Sequence, residues 1–358
     1  MSTNIDDSFW ERPRRVSKPT HIGSVIIGGG TPIVVQSMTK TDTRDMVATV
    51  RQIRELEECG CELIWVAVPD REAANAIATV KQVISIPVIA DIHSGYRLAL
   101  EALEAGADGL RLNPGNIGEP ETVAAVVHTA KERAVSIRIR VNAGSLPRYT
   151  SIHGSVAERM VSIAMQQVQF LESLNFDLIK VSLKAFDIAT TVQAYRLIVE
   201  KISYPLHLGI TEAGPPQTGT IRSALGIGLL LYEDIGDTIR VLLTGHPRLE
   251  VLAPYEILKG LHLHERGATL ISCPTCGRCQ MELLNLVSAL GNELLQVEKP
   301  IEVAVMGCEM NDPGEACDAD VGIACSKGRG AIFENGRVVG TVSEKDFLSA
   351  LMAQVRQL

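Results

Sequence analysis

The run Ser272-Cys273-Pro274-Thr275-Cys276-Gly277-Arg278-Cys279 is answered later by Gly307-Cys308 and by Asn311-Asp312-Pro313-Gly314-Glu315. Two thiols separated by two residues, followed by a third in a glycine-flanked turn, form a metal or iron-sulfur constellation, because soft thiolates hold iron clusters or zinc. Six of the eight cysteines fall in the last quarter of the chain, so the electron or metal chemistry belongs there. Cys59 and Cys61 stand apart and read as small buried hydrophobes at a helix-to-strand junction.

A second set of chemically able residues lies where apolar runs end. The ends read Gln36-Ser37-Met38-Thr39, Ala90-Asp91-Ile92-His93, Arg111-Leu112-Asn113, Val141-Asn142-Ala143-Gly144, Lys180-Val181-Ser182-Leu183-Lys184, His207-Leu208-Gly209-Ile210-Thr211-Glu212 and Leu243-Thr244-Gly245-His246. Asp, Ser, Thr and Asn there have a plain alternative role as helix caps. Capping does not call for Arg111, Arg138, Lys180 or Lys184, whose charge within a strand must point at water or at an anion.

The elements that must position these residues are short apolar runs alternating with amphipathic stretches. Strands are predicted over 32–36, 62–68, 86–90, 109–112, 135–141, 177–183, 204–210 and 238–243, with helices such as 45–59, 71–84, 96–105, 122–134 and 249–261 between or after them. Eight strand-helix units predict an α/β fold, a closed (β/α)8 barrel, with a doubly wound open sheet as the lesser alternative. In such a barrel the site lies where strands end and helices begin, which is where the polar residues are. After Leu263 the pattern changes to strand, cysteine turn, helix (282–295), strand (301–306), glycine-rich loop, a hairpin turning at Asn335-Gly336, and a last helix from about Glu344. Two domains follow, residues 1–265 and 266–358, the second large enough to fold around a cofactor.

Val, Ile, Ala and Leu dominate a chain that is 46% hydrophobic but only 4% aromatic, which suits buried parallel strands. A net charge of −8 argues against a general nucleic-acid or anionic-membrane surface, so an anionic substrate would need a local basic cluster. The longest apolar patch, Ala224 to Leu231, is too short to span a bilayer and the N-terminus lacks the apolar core of a signal peptide. A cytoplasmic location is expected, where clustered cysteines serve as ligands rather than disulfides.

Taken together, these motifs resemble the bacterial 4-hydroxy-3-methylbut-2-enyl diphosphate synthases. The matching stretches run from Val34-Val35-Gln36-Ser37-Met38-Thr39 through Ala90-Asp91-Ile92-His93, Arg111 to Gly118, Val141 to Leu146 and Gly209 to Gly214, and end at Cys273-Pro274-Thr275-Cys276 and Gly307-Cys308. The resemblance implies a barrel joined to a small domain like those of sulfite reductases, working as a head-to-tail homodimer in which one chain's cluster covers the other's barrel. It implies reductive ring opening of the cyclic diphosphate of methylerythritol to an allylic diphosphate, with two electrons delivered through a [4Fe-4S] cluster. Ligands for that cluster fall on Cys273, Cys276, Cys308 and Glu315. Substrate-binding positions fall on Arg111, Arg138, Asn142 and Lys184, with His207 and Asp91 as weaker candidates and Glu212 as the acid or hydroxyl-orienting group. Glu315, as an oxygen ligand, would leave one iron open to the substrate and so counts with Glu212 as a candidate catalytic group. Flavodoxin or ferredoxin would supply the electrons.

Some positions leave the family pattern. Trp65 stands where relatives usually have an arginine that helps hold the diphosphate, Arg140 replaces a usual glycine, Asp312 stands in the cluster loop where glycine is usual, and residues 146–156 differ. These leave open a paralogue acting on another diphosphate or phosphorylated polyol. Cys279 completes a C-x2-C-x2-C run and competes with Glu315 for the fourth ligand position, with Cys317 and Cys325 as further thiols. Four cysteines holding zinc, with the barrel as a binding module, is the reading from another class.

Overall fold

The computed structural model describes residues 14–93, 95–112, 119–146, 153–279, 281–308, 316 and 318–358. They form two compact units, which divide between His264 and Glu265.

The first unit begins with a hairpin, β1 (Thr20–Ile22) and β2 (Val25–Ile27), that no expectation from the sequence included. There follow β3 (Val34–Met38), α1 (Met46–Glu58), β4 (Leu63–Ala67), α2 (Arg71–Lys81), β5 (Val88–Asp91), α3 (Tyr96–Glu104), β6 (Gly109–Leu112), α4 (Pro120–Glu132), β7 (Ser136–Asn142) and α5 (Val156–Ser173). The unit continues with β8 (Ile179–Lys184), α6 (Ile188–Val199), β9 (His207–Leu208), α7 (Pro216–Tyr232), β10 (Thr238–Ile239) and α8 (Leu249–Gly260). β3 to β10 pair in parallel in chain order, β10 returns to β3, and a bridge from Val181 to Leu206 joins β8 to the approach of β9. The expected eight-stranded barrel is therefore the fold.

Alternation along each strand divides its residues between two layers. Outward residues such as Val35, Ile64, Val66, Ala90, Leu110, Ile137, Ile139, Val181 and Leu183 pack under the helices. Inward residues differ with height. At the bottom, Ile22 and Ile27 of the hairpin close on Val34, Leu63, Trp65 and Ile89 as a separate apolar plug. Above it the inward positions are polar. Helix starts are secured by the caps expected of short polar side chains: Asp45, Asp70 and Asp187 accept from backbone N–H groups, and Ser155 with Glu158 forms a capping box.

β9 and β10 are two residues long where six or seven were expected. The chain stays in place there by other bonds. The Asp237 carboxylate takes the Leu206 N–H at 2.7 Å and the Ser17 hydroxyl at 2.5 Å, and Leu206 O accepts from the N–H groups of Asp237 and Thr238.

The second unit contains β11 (Thr269–Ser272), α9 (Leu283–Leu294), β12 (Glu302–Met306), β13 (Val321–Ser326), β14 (Arg329–Glu334), β15 (Arg337–Ser343) and α10 (Phe347–Val355). The five strands lie in chain order, with β11, β12 and β13 parallel and the last two pairings antiparallel. Asn335 and Gly336 both take positive φ at the β14–β15 turn, as an Asn-Gly hairpin requires. Leu283, Leu286, Leu290 and Leu294 of α9 and Phe347, Leu351 and Val355 of α10 cover one face over Val303, Val305, Val321 and Ile323. Among the described residues no helix is long and apolar enough to cross a membrane.

Candidate active site: buried cations in the barrel and thiols at the strand ends

Register places the barrel charges side by side. Asp91 of β5 faces Arg111 of β6, Arg111 faces Arg138 of β7, and Arg138 faces Lys180 of β8; one step up, Asn142 faces Lys184. All five ionisable groups are nearly inaccessible, Arg138 at 2% exposure, Lys180 at 1% and Lys184 at 2%. Arg111 donates to Asp91 at 2.6 Å and lies 3.5 Å from the His93 imidazole. Arg138 is the anomaly. None of its three guanidinium nitrogens finds a hydrogen-bond partner among the described residues, nor does the Lys180 amine, nor the Nε of Arg111 or of Arg240.

Burial pushes the pKa values of Arg138, Lys180 and Lys184 well down from their ordinary values, and neighbouring cations add to the effect. Arg140, half-exposed at the rim, is lowered to about 10, first by burial and then by Arg111. An unpaired ion in a protein interior costs several kcal/mol on general grounds. A site that gathers several of one sign and leaves their donors open is built for an anion.

The other expected residues are distributed around this cluster. Asn142 is at the rim, its carbonyl oxygen accepting from Arg140 Nε at 2.8 Å, so its amide N–H groups remain for another partner. Lys184 Nζ lies against Gly209, where an added Cβ would come within 2.6 Å of both Nζ and the Arg240 backbone oxygen. His207 is fully buried with Nδ1 2.8 Å from Thr238 Oγ1 and Nε2 without a partner among the described residues. Its pKa falls well below 6.5, chiefly through burial and then through Lys184 and Arg138, so the ring is neutral at ordinary pH. Glu212 is exposed, takes positive φ (55°), and lines a cleft of about 510 Å³ with Asn142, Ser145, Asp187 and Thr211. Its charge bears on Arg140.

Two inward residues absent from the expected set belong here. Arg240, just beyond β10, is 8% exposed, its Nη1 3.5 Å from Met38 Sδ and its Nη2 3.8 Å from Glu250 Oε2. Its signal was the same as that of Arg138 and Lys180, a cation at an inward position of an apolar run. Trp65 lies across the top of the plug with Arg138 Cζ 3.5 Å and Arg240 Cζ 5.0 Å from its ring centroid.

In the second unit Cys273 follows β11, Cys276 and Cys279 lie on the next turn, and Cys308 follows β12. Cys308 is buried, Cys273 and Cys279 are half-buried, and Cys276 is exposed. Bonds from the Arg278 backbone lower the Cys276 pKa, which favours the ligating thiolate. Gly307 N donates to Cys273 Sγ at 3.2 Å, and a Cβ at Gly307 would stand 2.8 Å from Cys279 Sγ and 3.3 Å from Cys273 Sγ. That bare glycine makes room for sulfur. Among the described residues no three His, Cys, Asp or Glu side chains gather around one ion position. A four-iron cube takes its ligands at separate corners, one for each iron. Cys325, on β13, is buried and its thiol is pushed up to about 12, mainly by burial and next by Cys279 and Cys273. Glu315, Asp312, Cys317 and residues 113–118 lie outside the described residues.

Family comparisons agree with this division. The model for the GcpE TIM-barrel domain matches residues 17–255 and that for the GcpE protein C-terminal domain matches 269–357. A 4-hydroxy-3-methylbut-2-en-1-yl diphosphate synthase (flavodoxin) from Dehalococcoides mccartyi is 55% identical over 345 residues, 96% of this chain and 99% of the relative. One of the same name from Thermodesulfovibrio yellowstonii is 51% identical over 346 residues, again 96% and 99%. Among solved structures, a Yersinia pestis dihydropteroate synthase matches with a TM-score of 0.52 at 13% identity, over 68% of this chain and 97% of that one, a likeness of barrel fold alone. With both of its units matched and half of its residues shared with such relatives, the chain belongs to the GcpE family of 4-hydroxy-3-methylbut-2-en-1-yl diphosphate synthases.

Proposed function

We propose that the chain converts 2-C-methyl-D-erythritol 2,4-cyclodiphosphate to 4-hydroxy-3-methylbut-2-enyl diphosphate and water, consuming two electrons and a proton. The observation that carries this is the set of buried cations, several of whose donors have no partner among the described residues, in a chain half identical to named synthases. Arg111, Arg138, Arg240 and Lys184 hold the diphosphate, with guanidinium forks giving paired contacts to phosphate oxygens. Opening the ring breaks a carbon-oxygen bond and leaves the extra negative charge on the diphosphate. Fixed cations in a dry site stabilise that developing charge without reorganising. The Asn142 amide donates to the same group, and neutral His207 offers Nε2 to a substrate oxygen. Glu212, at the open edge, orients a hydroxyl and delivers the proton that leaves in water.

Cys273, Cys276 and Cys308, with Glu315 as an oxygen donor, hold the [4Fe-4S] cluster, and Cys279 is the competing fourth ligand. When bound, the cluster supplies both electrons and an open iron able to act as a Lewis acid. Flavodoxin is the electron donor, as the names of the relatives state for them, with ferredoxin as the alternative. The chain works as a homodimer in the cytoplasm. Anaerobic turnover of the cyclic diphosphate with a strong chemical reductant tests the whole. A brown protein with about four irons per chain and no turnover would overturn the substrate; a colourless protein with stoichiometric zinc would overturn the chemistry.

A further inference from the structure

We propose that Trp65 is a positioning residue, the platform on which Arg138 and Arg240 are held with their hydrogen-bond donors free for the anion. This rests on the diphosphate site described above. A buried guanidinium is normally oriented by carboxylates or carbonyls, which consume its N–H groups. Arg138 has none of these among the described residues, yet it is almost fully buried. Its Cζ stands 3.5 Å from the centroid of the indole, the contact distance of a cation laid on a π face. Such a contact attracts the charge through the ring and leaves all the edge donors open. Arg240 reaches the same ring at 5.0 Å, and the His207 ring lies 5.4 Å away and tilted by 39°. One indole therefore faces three of the groups assigned to substrate.

The indole is itself fixed. Its Nε1 donates to Gln36 Oε1 at 2.9 Å, and its body is packed in the plug with Ile22, Ile27, Leu63 and Ile89. A ring so anchored resists displacement when Arg138 is drawn toward a ligand. The same geometry changes the expectation for an arginine at this position. The space over the ring is already filled by the Arg138 guanidinium, so a new cation would be added beside Arg138 and Arg240 rather than to an empty anchor point.

The test is calorimetric titration of the iron-loaded full-length chain with inorganic pyrophosphate, comparing the wild type with Trp65→Phe, Trp65→Leu and Trp65→Arg. Phenylalanine keeps a π face and should bind within about threefold of the wild type, while leucine removes the face and should lose about tenfold or more. For turnover, Trp65→Leu should raise KM for the cyclic diphosphate by a larger factor than it lowers kcat, and Trp65→Phe should restore most of the difference. Trp65→Arg should bind pyrophosphate no more tightly than the wild type. Wild-type affinity in Trp65→Leu, equal losses in the phenylalanine and leucine variants, or tighter binding by Trp65→Arg would overturn the role of the indole. A wild-type chain that binds no pyrophosphate would instead overturn the anion site, and this role with it.

Discussion

Arg138 and Lys180 stand on neighbouring strands, buried and without hydrogen-bond partners among the described residues, whereas Cys273, Cys276 and Cys279 lie on a turn beyond a strand, partly open to solvent. The barrel stores unfavourable electrostatics in a rigid frame. The C-terminal unit sets out soft donors on backbone that a cofactor can organise. Anion binding and cluster loading should then be separable in single variants.

The largest effects should come from the thiols. Serine at Cys273, Cys276 or Cys308 should abolish or badly degrade the cluster and end turnover, whereas Cys279→Ser should keep nearly all of its iron and sulfide. Loss of iron in the Cys279 variant would move the fourth ligand away from Glu315. Pyrophosphate binding should survive in Cys273→Ser, and its disappearance would break the separation of the two sites.

Next in size are the barrel cations. Methionine at Arg111, Arg138 or Lys184 should weaken binding of the cyclic diphosphate by about 2 to 4 kcal/mol with iron content unchanged. Arg138→Met carries a second, opposite expectation. Because it replaces a buried ion that has no hydrogen-bond partner among the described residues by an apolar chain, the unliganded protein should be no less stable than the wild type. Affinity and melting temperature measured on the same variant check both, and a less stable Arg138→Met would mean that the guanidinium is already satisfied.

The smallest effect is titration of His207. Its folded pKa lies below the 6.5 of the free ring, so between those two values the unfolded chain binds more protons and stability rises with pH. Acidification below about 6.5 should therefore cost up to about 1.4 kcal/mol per pH unit from this residue. Replacing it by glutamine should remove that part of the slope in thermal melts from pH 7 to 5.

Much of this was legible in the chain. Inward cations in apolar runs pointed to Arg111, Arg138, Lys180 and Lys184, and the period of the pattern gave the barrel. Arg240 carried the same signal within the predicted run 238–243, but the resemblance assigned no role to that position. The role of Trp65 was not legible either. Stacking under two guanidinium groups depends on strands that meet only when the barrel closes, and strand periodicity says nothing of it. β1 and β2 were missed because three-residue strands next to Gly28-Gly29-Gly30 carry too little pattern to stand out.

That hairpin has a kinetic consequence. Ile22 and Ile27 pack on Leu63 and Ile89 and close the barrel at its lower end. A product diphosphate held on the proposed cations would occupy the place that the next substrate needs. Product should therefore compete with substrate for the free enzyme, and its departure past the rim residues Asn142 and Arg140 becomes a step in every turnover.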